Sequence, residues 1–227
     1  AQQLESDPEN LLLSRQNRFR LQGELIRDGY LASAGLLNQT IGGRSFRPPL
    51  PAGTAQIQFV NKWVADKGDL LQRRGMYIHL QRNLLLPMLL TFDQPDSIVT
   101  CTRRERSNTP LQALTIWNDP VFVECAQALG RRIMGEQKAG ENEGETVVRR
   151  VEYALLVSLS RRATPEELEA LVEYYQQQRE LLAEKPEAAK QIAGPLPVVE
   201  GTDMAELAAW VVLGRVILNL DEFISRE

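Results

Sequence analysis

The sequence predicts a mainly α-helical protein, an irregular bundle of helices with long loops and at most a small β element. Apolar residues recur at helical spacing through much of the chain. Glycine and proline crowd residues 38–53, which predicts an irregular connection. A small polar residue followed by proline is typical of the first turn of a helix, and this pair occurs four times: Asp7-Pro8, Thr109-Pro110, Asp119-Pro120 and Thr164-Pro165.

The elements follow from these signals in order along the chain. A helical region is expected over residues 8–37, then the loop at 38–53. Residues 54–90 are ambiguous, because 75–82 alternates like a strand but also suits a helix, and the proline in LLLPMLLTF interrupts any helix there.

The second half predicts more regular helices. They are expected at 110–116 and 120–137, with a solvated linker at 138–145 and a helical hairpin at 146–160 and 165–184. A proline-rich loop then leads into 203–220. This last stretch is the least polar, so we expect it to lie at the centre of the core.

Length and charge limit the possible organisation. A chain of 227 residues suits a single helical domain over 1–227, with a possible subdivision into a loop-rich basic part, 1–100, and an acidic helical core, 101–227. The net charge of −4 argues against a nucleic-acid partner, which would need a concentrated basic surface. No apolar run is long enough to span a bilayer.

Familiar catalytic and metal-binding motifs are absent from the sequence. The single histidine, His79, and the lack of any Cys/His cluster predict no metal site. No nucleotide-binding glycine motif or catalytic triad can be assembled. There are two cysteines, and sequence leaves their pairing open. Cys125 lies among apolar residues, which favours a buried free thiol over a disulfide.

Three arginines, Arg103, Arg104 and Arg106, stand just before the helix start at Thr109. Two hypotheses compete. In the first, the guanidinium groups and the free N–H groups of the helix start bind an anion. In the second, which we favour, the arginines pair internally with carboxylates and lock the fold. The candidate ligand-binding residues are Arg103, Arg104, Arg106, Asn108, Thr109, Gln112, Asn118 and Asp119. The expected internal partners are Asp93, Asp96, Glu105, Asp119 or carboxylates of the acidic half.

A secondary candidate lies in the glycine-rich loop. Gly42 and Gly43, followed by Arg44, could form a nest of backbone N–H groups that binds an anion. Turn formation alone explains these glycines equally well.

Several stretches together resemble a known family. They are DPENLLLSRQNRFRLQGELIRDGYLASAGLLNQTIGG, RRGMY, LTFDQPDSIVTCTRRERSNTPLQALTIWNDPVFVECAQAL and LGRVILNLDEFISRE. The chain resembles the C-terminal part of the DUF1553 family, also described as the PSD1 domain of planctomycete cytochrome c-domain proteins.

The resemblance implies a setting and partners rather than a reaction. It implies an exported or periplasmic, extracytoplasmic protein, with DUF1549-like and cytochrome c-like domains in the same polypeptide. The c-type haem would lie on that separate domain, with no cofactor in this fragment. We expect a non-catalytic scaffold or ligand-binding module, with an anionic group or glycan as its ligand. The alternative is part of an oxidoreductase or glycan-processing enzyme that passes electrons to the haem domain.

Overall fold

Helices make up most of the protein. The computed structural model describes residues 7–51, 63–82, 84–136, 140, 142–198 and 201–226. A short antiparallel pair joins β1, Phe19–Arg20, to β2, Ser225–Arg226. The prediction of a mainly α fold with a small β element is therefore confirmed. The helices are α1 Gly23–Ser33, α2 Pro87–Thr91, α3 Pro110–Asn118, α4 Pro120–Met134, α5 Glu143–Leu159, α6 Pro165–Ala183, α7 Pro186–Ala193, α8 Met204–Leu218 and α9 Asp221–Ile224.

Helix α8 forms the centre of the bundle. It packs mainly against α4, α6 and α7. Trp210, Leu213 and Ile217 have no exposed surface. Asp203 begins the helix, because its carboxylate accepts the backbone N–H of Ala205 at 2.9 Å. The predicted central position of 203–220 is confirmed, and the apolar character of this helix on all sides is explained by neighbours on all sides.

Helices α4 and α8 cross closely at Gly130. A Cβ atom at this position would lie 2.6 Å from Val211 Cγ2 and 2.8 Å from the Val211 backbone nitrogen. We therefore expect Gly130→Ala to lower the free energy of unfolding by about 1–3 kcal/mol, because the two backbones must move apart. Urea unfolding measures the change.

The matched control is Gly144→Ala, in the exposed first turn of α5, where a Cβ meets only Asn142 at 3.5 Å. It should leave stability unchanged or raise it, because alanine is the better helix former. Equal stability of the two variants would show that the α4–α8 crossing is wider than described.

The hairpin of α5 and α6 has strong local start signals. Thr164 Oγ1 accepts the N–H of Glu167 at 3.2 Å, and Glu167 Oε2 accepts the N–H of Thr164 at 2.9 Å, so the predicted capping box is present. Asn142 caps α5 in the same way. Helix α5 therefore begins three residues earlier than predicted, and Glu143–Glu145 of the expected linker are helical.

The prediction of a helix from residue 8 is wrong for residues 8–22. The Asp7 carboxylate accepts the N–H groups of Leu11 at 2.8 Å and Leu12 at 3.0 Å, which closes a turn instead of starting a helix. Short polar side chains compete with helix hydrogen bonding in this way. Leu11, Leu12 and Leu13 are consequently about 80% exposed, and α1 alone remains of the predicted helical region.

Three further expectations need correction. Residues 75–82 form neither a strand nor an α-helix: Gly75–Tyr77 is a single 3-10 turn, and Ile78 makes an isolated parallel bridge with Phe46. Pro87 begins α2 rather than interrupting a helix. Helix α7 was not predicted, because we treated its sequence as part of the proline-rich loop. The expectations for residues 52–62, 83, 137–139, 141 and 199–200 concern positions outside the described part of the chain.

The C-terminal segment closes the fold onto α1. The N–H of Leu21 donates to Ile224 O at 2.7 Å beside the β1–β2 pair. The Phe223 ring packs edge-on against Tyr30, with 4.8 Å between ring centroids. Arg161 bonds both Glu222 and Glu167 at 2.7–2.8 Å, and this arginine lowers the pKa of Glu167 to about 2. The NLDEF stretch, residues 219–223, therefore has a structural role.

The two cysteines lie in different environments. Both thiols are free, and Cys101 is exposed whereas Cys125 is buried. The buried free thiol predicted at Cys125 is confirmed, and burial raises its pKa to about 12. Within the described ranges, no helix has both the length and the apolar character needed to cross a membrane.

Candidate functional site

An open groove lies beside the arginine-rich segment that precedes α3. Its volume is about 730 Å3, within the usual range for ligand sites of about 300–1,000 Å3. The segment runs past β1 and the start of α1. We call this feature the arginine groove, and its lining residues are Gln22, Arg103, Arg104, Glu105, Arg106 and Ser107.

Ser107 fixes one end of the segment. Its N–H and hydroxyl donate to the Asp93 carboxylate at 2.7–2.9 Å, and its carbonyl oxygen accepts from Arg20 Nε at 2.8 Å. Arg20 is 8% exposed and also pairs with Asp93 at 2.5 Å. Partial burial raises the pKa of Asp93, but the bonds from Ser107 and Arg20 outweigh it and hold the pKa below its usual value.

Arg104 fixes the segment three residues earlier. Its Nη1 donates to both oxygens of Glu24, at 2.9 and 3.0 Å, and to Gln22 Oε1 at 3.2 Å. Gln22 and Glu24 flank the first residue of α1, so this contact ties the segment to the start of that helix. The internal-pairing hypothesis therefore holds for Arg104, although Glu24 was not among the expected partners.

Arg103 and Arg106 behave differently. Both are exposed, and neither has a carboxylate partner among the described residues. Arg106 lies over the Phe19 ring, with its guanidinium carbon 4.8 Å from the ring centroid. This cation–π contact orients the side chain and leaves the hydrogen-bonding edge of the guanidinium group available. The internal-pairing hypothesis does not describe these two arginines.

Asn108, Thr109 and Gln112 do not line the groove, although we predicted them to join the arginines. Thr109 begins α3, and Gln112 Oε1 accepts its N–H at 3.4 Å. Gln112 is 1% exposed, and its amide donates to Thr91 O at 3.0 Å and Ser107 O at 3.3 Å. Gln112 is thus a buried residue whose hydrogen bonds join the arginine-rich segment to the end of α2. Asn108 is exposed beside it.

Comparison with known proteins places the chain in a family. A model of the family described as PSD1, a protein of unknown function (DUF1553), matches residues 1–175. The chain belongs to the PSD1 family. No curated protein and no solved structure matches it. The family match covers the whole arginine groove, whereas the likeness we noted in the C-terminal stretch lies beyond residue 175.

The remaining predicted residues of this PSD1 domain lie at the far end of α3. Asn118 is exposed and donates to Leu114 O at 2.8 Å within its own helix. Asp119 begins α4, and its Oδ1 accepts the N–H of Val121 at 3.0 Å. Asn118 is the last residue of the nine-residue helix α3 and Asp119 follows it, so the structure places both at the end of α3 away from the arginines and does not bring them to the groove.

The glycine-rich loop around Gly42, Gly43 and Arg44 surrounds the guanidinium group of Arg73. Gly42 and Gly43 both have φ of +82°, and the carbonyl oxygens of Gly42 and Arg44 accept bonds from the Arg73 guanidinium. Arg44 itself pairs with Asp66 at 2.8 Å. The loop therefore uses its carbonyl groups to hold Arg73, and within residues 42–44 the N–H of Gly42 donates to Tyr77 Oη at 2.7 Å.

Sequence reasoning missed three residues that position the groove: Arg20, Gln22 and Glu24. It named Asp93 as an expected partner of the three arginines, whereas the structure pairs Asp93 with Arg20. A weak signal existed for Arg20, because it stands between Phe19 and Leu21 in a stretch that we assigned to a helix. Glu24 lies 79–82 residues before the three arginines along the chain, and no local pattern links it to them. Among the described residues, no group of three or more metal-ligating side chains occurs.

Proposed function

We propose that this PSD1 domain is a ligand-binding module that holds an anionic group in the arginine groove. The supporting observation is the contrast among its arginines. Arg20 and Arg104 are committed to Asp93 and Glu24, whereas Arg103 and Arg106 face solvent without a carboxylate partner among the described residues. Arg106 lies between the two anchored residues, Arg104 and Ser107, and Arg103 directly precedes Arg104, so the backbone positions of both are restrained before a ligand arrives.

The groove suits a carboxylated or sulfated glycan. Guanidinium groups match the planar oxygens of carboxylate and sulfate groups through paired N–H donors. Gln22 and Glu105 also line the groove and can bond sugar hydroxyl groups. The volume of about 730 Å3 accommodates a short saccharide.

Binding fits the groove better than catalysis does. A glycoside-hydrolysing site uses two carboxyl groups at defined separation, and Glu105 is the single carboxylate among the described lining residues. The Ser107 hydroxyl donates to Asp93 at 2.8–2.9 Å, but this carboxylate is a weak general base, because the bonds from Ser107 and Arg20 hold its pKa below the usual value. The alternative function, an oxidoreductase or glycan-processing enzyme, would need groups from another part of the polypeptide.

The proposed setting comes from the family resemblance. We propose that the domain serves an exported, cytochrome c-linked protein of several domains, with the haem on a separate domain. In that setting, the arginine groove would hold an anionic glycan while the neighbouring DUF1549-like and cytochrome c-like domains perform any chemistry.

A titration with a sulfated disaccharide tests the proposal. We expect saturable binding that weakens as salt rises from about 50 to 200 mM, because dissolved ions screen the attraction between the arginines and the sulfate groups. The variant Arg103→Gln/Arg106→Gln should bind at least about tenfold more weakly, since each charge-assisted hydrogen bond contributes about 1.5–3 kcal/mol before solvent screening reduces it. Its melting temperature should match that of the wild type.

The control is Arg82→Gln/Arg162→Gln, which removes two exposed arginines elsewhere and changes the net charge equally. It should bind like the wild type. If both double variants weaken binding to the same extent, the attraction is a property of net charge and not of the groove. If neither variant weakens it, the groove is not the site.

A further inference from the structure

A second groove lies where α1, α2 and the start of α4 meet, and it shares no lining residue with the arginine groove. Its volume is about 160 Å3. A protein cavity of about 150 Å3 with Leu, Ile and Phe walls binds benzene, so this groove has room for a compact hydrocarbon group. We call it the proline-walled groove, because prolines of the 48–51 segment form one wall. Its other apolar lining includes Leu31, Leu71, Ile78, Met88 and Val121.

One carboxylate enters this apolar surface. Asp119 lines the groove, and its Oδ1 accepts the Val121 N–H at 3.0 Å. Its other oxygen has no hydrogen-bond partner among the described residues. Burial raises the pKa of Asp119, although the Val121 N–H and the Arg27 charge act in the opposite direction. Glu124 lies at the exposed rim of the groove, about one turn along α4.

Arg27, the one cation among the described residues that line this groove, already has hydrogen-bond partners. Arg27 is 3% exposed, and its Nη1 donates to Arg73 O at 2.7 Å while its Nη2 donates to Leu71 O. Its guanidinium carbon lies 5.2 Å from the Phe46 ring centroid, and Asp28 lies 4.0 Å away. Arg27 is therefore part of the wall. Asp28 is shared between Arg27 and Arg74, whose Nε lies 3.5 Å from its carboxylate. Among the described lining residues, the two carboxylates of Asp119 and Glu124 outnumber the one cation.

We propose that the proline-walled groove binds a small apolar amine, with a hydrocarbon body of about six carbons against the apolar walls and its ammonium group on Asp119. This site is independent of the arginine groove. An ammonium group would satisfy the available carboxylate oxygen and offset the burial of its charge. The apolar body would supply affinity through the removal of hydrocarbon surface from water.

Three probes share a cyclohexyl ring and differ in the charge of the polar group: cyclohexylmethylamine, cyclohexylmethanol and cyclohexanecarboxylate. Their relative affinities distinguish the contribution of charge from that of the apolar ring. Titration calorimetry at about pH 7, where the amine is protonated, should rank the amine first, the alcohol about tenfold weaker and the carboxylate weakest. Asp119→Asn should reduce the amine to the affinity of the alcohol. The fold should survive this change, because asparagine is as good a helix cap as aspartate.

The matched control is Asp96→Asn. Asp96 is exposed, and its carboxylate also accepts the N–H two residues on, from Ile98 at 3.0 Å, but it does not line the groove. It should bind the amine like the wild type. Equal loss in both variants would overturn the proposal, as would a carboxylate that binds as tightly as the amine, or no binding of any probe.

The pH dependence gives a second readout. The charged groups around Asp119 are Arg27 from α1 and Glu124 from α4. The amine prefers the ionised carboxylate, so its affinity should fall as the pH drops through the Asp119 pKa, by about tenfold in total and down to the affinity of the alcohol. Binding in that range should release a proton. The alcohol should show no such dependence. An amine affinity that is flat from neutral to acidic pH would contradict the assigned contact.

Discussion

Trp210→Ala should lower the free energy of unfolding by about 3–5 kcal/mol, the range for truncating a buried aromatic residue. Trp210 has no exposed surface and lies at the middle of α8. Its ring stacks on Tyr175 with 3.9 Å between centroids and 25° between planes, and Arg150 lies 5.8 Å from its centroid. The substitution removes packing from α6 and α5 at once. Chemical denaturation measures the loss, with the unfolding free energy of both proteins depending equally on denaturant concentration.

Trp210→Phe is the control for this prediction. It keeps a ring to stack on Tyr175 and loses only part of the buried volume, so we expect a smaller loss of about 1–2 kcal/mol. The indole N–H contact to Glu206 is long, at 3.5 Å, and its removal should add little. A loss below about 1 kcal/mol for alanine would mean that α8 is not the centre of the core.

Arg20→Met should have the second largest effect and lower the free energy of unfolding by about 3 kcal/mol, because it leaves the partly buried Asp93 carboxylate without its cationic partner. The side chains of Arg20 and Asp93 are 7% and 23% exposed. Removal of the guanidinium group also leaves Ser107 O with only a 3.3 Å contact to Gln112. The segment that carries the arginine groove should loosen, so binding of the sulfated disaccharide should weaken together with stability.

Arg104→Met is the matched control for Arg20→Met. Both changes remove an ion-paired arginine, but the Arg104 side chain is 34% exposed. A pair that solvent reaches contributes about 0–1 kcal/mol, so Arg104→Met should be much the milder variant. If the two variants lost the same stability, burial of the Arg20–Asp93 pair would not be what holds the segment.

Local signals predicted the second half of the protein well. The helix starts at Thr109, Asp119, Thr164 and Asp203 are where the sequence indicated, because each depends on a side chain and a backbone N–H only a few residues apart. The one failure among the polar-proline pairs was Asp7. Its carboxylate can close a turn just as locally as it can cap a helix, and propensity alone does not choose between them.

The arginine groove was only half predictable. The sequence identified Arg103, Arg104 and Arg106 as a group, because their density before a helix start is visible along the chain. It could not show that Glu24 pairs with Arg104 alone, since that contact joins positions 80 residues apart. Nor could it show that Asp93 would pair with Arg20 and not with one of these three arginines. Tertiary contacts of this kind decide which charges remain available to a ligand.

The most direct test of the proposed binding site is the response of individual arginine side chains. The Nε–H resonances of Arg20, Arg103, Arg104 and Arg106 can be followed by NMR while a sulfated disaccharide is added. We predict saturable shifts of Arg103 and Arg106, with Arg20 essentially unchanged because its Nε–H remains on Ser107 O. Shifts spread evenly over exposed arginines, or none at Arg103 and Arg106 during binding, would contradict the account.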